Sequence, residues 1–225
     1  MTDRVECKLK AKELLRGRWG NAAGACLVVT ISSMLVSFFL SPIPIFGWII
    51  VAVVSSFLNG AFIKYCIKLT ETDEKVKYLD CFVSFKAAIK IFLCNILIGV
   101  VLGIGLLVLT MIFTTASFIS ESVFLMFIFF VILLTLGLFI EACIFTIPII
   151  LTEDDEIGVI EAINMSWEVT KDYKLKYVIM ILSFVGWGIL ALLTLGIGAF
   201  WLQPYIMLTV YIFYKGIRNA NIAIE

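Results

Sequence analysis

Formal charge is confined to a few short stretches of this chain, and between them the sequence runs apolar for long distances. Trp19 to Ile63 is 45 residues without a charge, Ile91 to Thr152 is 62 residues holding only Glu121 and Glu141, and Tyr177 to Tyr214 is 38 residues with none. A helix needs about 20 residues to cross about 30 Å of hydrocarbon, so each run is long enough for two crossings and a turn. The turns are visible. Ser41-Pro42-Ile43-Pro44 breaks the first run, because proline lacks a donor and clashes with the preceding helical turn. Ala116 to Ser122 is the one polar stretch of the second run, and Gly196-Ile197-Gly198 with Gln203-Pro204 marks the return in the third. The pattern predicts an arm over 1–21 and spans near 22–40, 45–63, 91–114, 123–148, 177–195 and 200–216. A re-entrant hairpin that dips in and returns also fits the last 38 residues.

Each pair of spans follows a polar segment with helical periodicity. Residues 76–90 carry Tyr78, Phe82, Phe85 and Ile89 on one face, with Lys86 and Lys90 beside it. Their stems can lie on apolar surface while the ammonium groups reach water and anionic headgroups. Residues 156–170 carry Ile157, Ile160, Ile163 and Trp167 on one face, and Thr152 to Asp155 offers an N-cap and negative charge for the first turn. Residues 3–18 are helix-prone, with Val5, Leu9, Leu15 and Trp19 clustering on a less regular face. The expected architecture is therefore all-α: a single integral membrane domain over 1–225, with six transmembrane helices in three hairpins, each preceded by a cytoplasmic amphipathic helix. Docking against the interface or the inner ends of the spans is one reading of these helices; a gate or partner-binding collar is the other.

Composition agrees: 62% of the residues are hydrophobic and 15% charged, and the mean hydropathy is +1.11. Soluble domains are nearer half apolar and a quarter charged, so nucleic-acid binders, secreted disulfide scaffolds and disordered tails are excluded together. The net charge of zero conceals an asymmetry. All seventeen Lys and Arg fall on the side of the predicted spans that carries the two termini, and the opposite turns hold none. Positive charge marks the cytoplasmic side. The chain is expected in the plasma membrane, multi-pass, with both termini cytoplasmic and the first span a retained signal anchor rather than a cleaved peptide. The six cysteines show no CxxC spacing and lie toward the reducing side, so free thiols are expected.

Candidate chemistry is sparse. The chain has no histidine, which removes His bases, His metal ligands and haem held by His. No GxxxxGK occurs, and Gly103-Ile104-Gly105 is not a dinucleotide fingerprint, since position 108 is valine. The run Glu153-Asp154-Asp155-Glu156 lacks the ligand spacing of an EF-hand and reads as a helix cap. No cofactor, metal or catalytic residue is expected. Glu141 is the one ionisable residue deep in a predicted span, where a charge costs about 2.5–3.5 kcal/mol even on lenient scales. It reads either as a proton or cation site or as a structural partner of a neighbouring span, for instance of Asn95. Gln203-Pro204-Tyr205 at the start of span six can line a small outward cavity or simply begin a helix. Gly99 and Gly103 (GxxxG, with Gly105 beside them) and Gly186 and Gly188 are candidates for close helix packing. Trp19 and Trp167 suit the interface.

Two blocks resemble a known family. Lys10 to Ala22, with Leu14, Gly17, Trp19 and Gly20, is similar to the opening "K-x-L-x-G-x-W-G" of Gram-positive integral membrane proteins known as domain of unknown function 975. Leu182 to Tyr205 (LSFVGWGILALLTLGIGAFWLQPY), followed by Phe213-Tyr214, resembles its C-terminal block, and Ala162 to Ser166 resembles its "AL-x-x-S" segment. The chain departs from the family pattern at Val169-Thr170-Lys171. The resemblance implies a six-span helical membrane protein and carries no activity. The helix-plus-hairpin plan is also similar, at the level of fold, to the membrane domain of some glycerophosphodiesterases. The expected function is a non-enzymatic membrane binding, accessory or scaffold protein, with the bilayer and another membrane protein as partners. The alternative is a small transporter or channel using Glu141.

Overall fold

The computed structural model describes residues 3–43, 46–72, 76–120 and 123–222. Among the described residues every regular element is helical. The α-helices are α1 (Arg4–Leu15), α2 (Trp19–Leu40), α3 (Phe46–Glu71), α4 (Phe85–Ser120), α5 (Val123–Ile144), α6 (Ile147–Glu153), α7 (Val159–Thr170), α8 (Lys174–Leu182), α9 (Val185–Leu193) and α10 (Ala199–Ile222). Among the described residues, five segments are long and apolar enough to cross a membrane: Trp19–Leu40, Phe46–Glu71, Phe85–Thr115, Phe127–Glu153 and Lys174–Leu193.

Several predicted boundaries are corrected. The helix expected over 76–90 is a 3-10 turn at Tyr78–Asp80 followed by non-helical residues, and α4 begins only at Phe85. Lysines of α3 hold this segment extended: Lys68 Nζ donates to the Asp80 carbonyl at 2.7 Å and Lys64 Nζ to the Phe82 carbonyl at 3.1 Å. The Ser84 hydroxyl then accepts the Ala87 N–H at 3.1 Å, which caps the helix and starts it there. At the other end α4 continues through Ser120, beyond the predicted turn at 116. Thr114 and Thr115 turn their hydroxyls back onto the Met111 carbonyl, so local polarity need not end a helix. Glu121, Ser122 and Pro44 lie outside the described residues. The span predicted over 123–148 divides at Phe145-Thr146, with Pro148 in the first turn of α6, where its missing donor costs nothing. The span predicted over 177–195 divides at Ser183-Phe184.

Burial is concentrated at one end of the helices. It covers Ala22 to Cys26 in α2, mainly Gly60 to Leu69 in α3, and Ala87 to Cys94 at the start of α4. It also covers Ala142 to Leu151 across the α5–α6 break and Tyr205 to Ile217 in α10. This is the end that carries the lysines and arginines. Beyond it, side chains such as Phe38, Trp48, Ile104 and Leu192 are exposed. A contiguous apolar surface of this extent is untenable in water and ordinary against lipid. The axis of the packed base is α10, which touches α1, α2, α3, α7 and α9 and buries Leu208, Tyr211, Phe213 and Ile217.

The two short polar helices leave several large apolar residues exposed. In α1 the core side is Cys7, Ala11 and Leu15, while Val5 and Leu9 are exposed. In α7 it is Ala162, Ser166 and Thr170, while Ile160 and Trp167 point outward. The small residues of α7 allow close approach to the base, and both helices leave large apolar residues for the surroundings. Burial pushes the Cys7 thiol up to about 11, so it is unionised and unreactive at neutral pH. All six cysteines are free and buried.

Two side-chain clusters tie the base together. Glu153 accepts hydrogen bonds from Tyr211 Oη at 3.0 Å, Tyr214 Oη at 3.4 Å and Arg218 at 2.9 Å, which clamps the end of α6 to α10. At the α5–α6 break the Thr146 hydroxyl donates to Ser166 Oγ at 2.7 Å, and Ser166 donates to the Cys143 carbonyl at 2.8 Å. All of this is buried, so Ser166 satisfies a carbonyl near the interrupted helix ladder. Ser166→Ala should therefore lower stability by about 1–3 kcal/mol, the cost of leaving buried polar groups unpaired. Denaturant unfolding of the detergent-solubilised protein, followed by circular dichroism, checks this; an unchanged midpoint would show that the chain of bonds contributes nothing.

Candidate functional site

The turn from α1 into α2 requires Gly17, whose φ of +76° lies in the left-handed region that glycine adopts at least cost. It brings α1 back along α10. Arg4, Lys8 and Lys12 recur every fourth residue, so one flank of α1 is a row of cations. That flank meets the α8–α9 break. Lys8 Nζ donates to the Ser183 carbonyl at 3.1 Å and sits 3.9 Å from the centre of the Phe184 ring. Lys12 Nζ lies 5.9 Å from the Trp187 ring and 6.0 Å from the Tyr205 ring. These are cation–π distances. Burial, Arg4 and Lys12 together hold the Lys8 ammonium below its ordinary value.

Beside this row lies a cavity of about 440 Å³, lined by Trp19, Trp187, Trp201, Tyr205 and Lys12 with aliphatic residues between them. Trp19 meets Tyr205 edge-on at 6.1 Å, and Tyr205 meets Phe184 edge-on at 5.1 Å, so the floor is fixed by aromatic contacts. The turn between α9 and α10 sets the position of Trp201. Leu195 and Gly196 both take positive φ, and Thr194 Oγ1 accepts the Gly198 N–H at 2.8 Å. A Cβ on Gly198 would meet the Ala191 Cα at 3.0 Å, so only glycine lets the turn close against α9. The lining contains no carboxylate, thiol or hydroxyl nucleophile activated by a base. The volume suits a small ligand or one apolar chain.

Of the candidates singled out by sequence, Trp19 and Tyr205 line this cavity, and those that follow fall elsewhere. Glu141 is exposed in an apolar groove of about 370 Å³ between α4 and α5, beside Gly105, Leu133 and Gly137. Its partner is Tyr177, whose hydroxyl donates to it at 3.4 Å; Asn95, exposed on α4, is not. Gly99, Gly103, Gly105, Gly186 and Gly188 have open space where a Cβ would stand, so within this chain none mediates close helix packing. Lys86 pairs with Glu156 at 2.7 Å, and Lys90 donates to the Asp155 and Ile157 carbonyls at 2.6 and 2.8 Å. These two lysines anchor the start of α4 to the acidic run instead of projecting toward headgroups. Asp155 accepts the Ser84 hydroxyl at 2.7 Å, and that bond first, with Lys86 and Lys90 nearby, holds its carboxyl below the ordinary range. The run thus joins α4, α6 and α10 and does not cap α7, whose Gly158 N–H is taken by Glu161 at 3.4 Å. Among the described residues no group of His, Cys, Asp and Glu could hold a metal ion. Trp167 is exposed, with the Lys174 ammonium 3.3 Å from its ring centre. Gln203 accepts the Cys26 thiol at 3.2 Å and borders an open groove with Thr30, Ser33, Ser37 and Asn59.

The cavity residues lie mainly in the two terminal blocks, more than 160 residues apart in sequence, Trp19 and Trp187 among them. Over residues 1–221 the chain matches the family described as "Protein of unknown function (DUF975)". No curated protein and no solved structure matches it.

Gly198→Ala should displace the α9–α10 turn and with it Trp201. The expected result is a loss of about 1–3 kcal/mol of stability, typical of overpacking, together with a shifted tryptophan emission maximum. Unchanged emission would show that Gly198 does not set the cavity wall.

Proposed function

The chain belongs to this family of proteins of unknown function, and from that premise we propose that it is a multi-pass plasma-membrane protein acting without catalysis, as a binding or accessory component of the bilayer. Its six crossings form three hairpins, and both termini are cytoplasmic. The orientation rests on the distribution of Lys and Arg, all on one side of the predicted spans. The outward apolar residues of α1 and α7 (Val5, Leu9, Ile160, Trp167) suit helices lying at the cytoplasmic interface. The observation that carries the functional reading is the lining of the cavities. The aromatic one beside α1 offers apolar walls and a single cation, a surface for binding an amphiphile or a membrane partner.

A transporter or channel using Glu141 is the second reading, and the exposure of Glu141 within a groove is what favours it. Against it, the groove is almost wholly apolar and offers no polar path. One observation also favours a re-entrant third pair. Gln203 is level with Cys26, and the part of α2 from Leu27 to Leu40 rises about 21 Å further at 1.5 Å per residue.

Two measurements test these readings. Cysteine introduced at Lys77 should react with a membrane-impermeant maleimide only from the cytoplasmic side; labelling in intact cells would reverse the orientation. Cysteine at Leu195 should be labelled from outside if the third pair crosses, and from neither side if it is re-entrant. In proteoliposomes neither the native chain nor Glu141→Gln should conduct protons or monovalent cations. Flux that Glu141→Gln abolishes would establish the transporter.

A further inference from the structure

We propose that the aromatic cavity and the cationic flank of α1 together form a binding site for one anionic glycerophospholipid, whose phosphate sits on Lys8 and Lys12 and whose acyl chain lies between Trp187 and Trp201. This deepens the binding reading above and rests on it. Three observations converge. First, the two ammonium groups are held by aromatic rings and one backbone carbonyl, and no described carboxylate lies within ion-pair distance of either. With Arg4 one turn earlier, the flank is a run of like charges at i, i+4 spacing, which is unfavourable until an anion arrives. Asp3, at the N-terminal end of this row, borders a separate hollow with Arg4 and Lys176 and so reaches only the far end. Second, the cavity beside the cations is apolar and aromatic, with room for a length of hydrocarbon. Third, its outer wall is continuous with exposed apolar surface. Trp187 and Leu190 line it and are half exposed, next to Ile189, Leu192 and Leu193 on the same helix. A ligand therefore enters from the bilayer and not from water.

Charge selects the headgroup. A phosphate carrying net negative charge relieves the repulsion along α1, whereas a zwitterionic lipid returns a cation to the same place. The depressed ionisation of Lys8, caused by burial and by its two cationic neighbours, agrees with a site prepared for an anion.

The test uses the full chain with Trp48→Phe and Trp167→Phe, so that emission comes from Trp19, Trp187 and Trp201 alone. The protein is placed in nanodiscs of phosphatidylcholine containing a minor fraction of brominated-chain phosphatidylglycerol or, in parallel, of brominated-chain phosphatidylcholine. Bromine quenches tryptophan at contact. The anionic lipid should quench at a lower fraction than the zwitterionic one, with the preference falling about five-fold for each of Lys8→Gln and Lys12→Gln, while circular dichroism stays unchanged. Lys10→Gln, a neighbouring substitution on the arm, should leave the preference intact. Equal quenching by both lipids would overturn the proposal and leave the apolar binding reading standing. Absence of quenching by either would overturn both. Loss of the preference in excess inorganic phosphate would identify a free anion as the ligand and overturn the lipid assignment.

Discussion

Packing in this protein is restricted to the end of the bundle that bears the positive charges, and the rest of the structure depends on that restriction. In hydrocarbon, one aliphatic side chain gains little by leaving lipid for another. Helices of Leu, Ile, Phe and Val alone therefore need not pack tightly along their length. What holds them here is a base in which small residues, hydroxyls and aromatic rings alternate around α10. Ala22, Ala25 and Cys26 let α2 approach, Tyr205 to Ile217 supply the axis, and Ala142 to Leu151 fold across it. Above this base the glycines of α4 face open space.

Polar bonds in the base act mainly at helix interruptions. Ser166 satisfies the Cys143 carbonyl where α5 breaks, Lys68 and Lys64 hold the strand-like approach to α4, and Glu153 joins α6 to three groups of α10. The break between α8 and α9 has a further effect: it brings the Phe184 ring and Ser183 carbonyl to Lys8 and presents Trp187 to Lys12. The cavity is thus a consequence of how the ends of the chain meet, with α1 packed along α10 and the α9–α10 turn closing the far wall.

Much of the architecture was legible in the pattern of charges and apolar runs. An all-helical chain, the breaks at Pro42 and near Gly196, and the beginnings of α2, α3 and α10 within a few residues follow from it. The segment 76–84 misled, because Tyr78 and Phe82 have helical spacing while the backbone there is pinned by lysines from α3, a tertiary influence invisible to periodicity. The sequence leaves the faces of α1 and α7 open between the interface and the inner ends of the spans. Near a membrane the apolar face need not be the core face, so Leu9 and Trp167 look outward while Ala11 and Ser166 look inward. The sequence drew attention to Glu141 because buried charge is rare. It passed over Lys12 and named Tyr205 only beside Gln203, not with the tryptophans; these residues become a site only when brought together, and their membership of the two terminal blocks was the available signal.

By itself, then, the sequence determined the helical class, the apolar segments and the asymmetry of charge, since these depend on transfer free energies and backbone geometry that act locally along the chain. The tertiary structure decided which face of each helix is buried, where the acidic run is spent, and that Trp19, Trp187, Trp201 and Tyr205 share one cavity beside the cations of α1. Those outcomes depend on contacts between residues far apart in the chain, and such contacts exist only after the helices have packed.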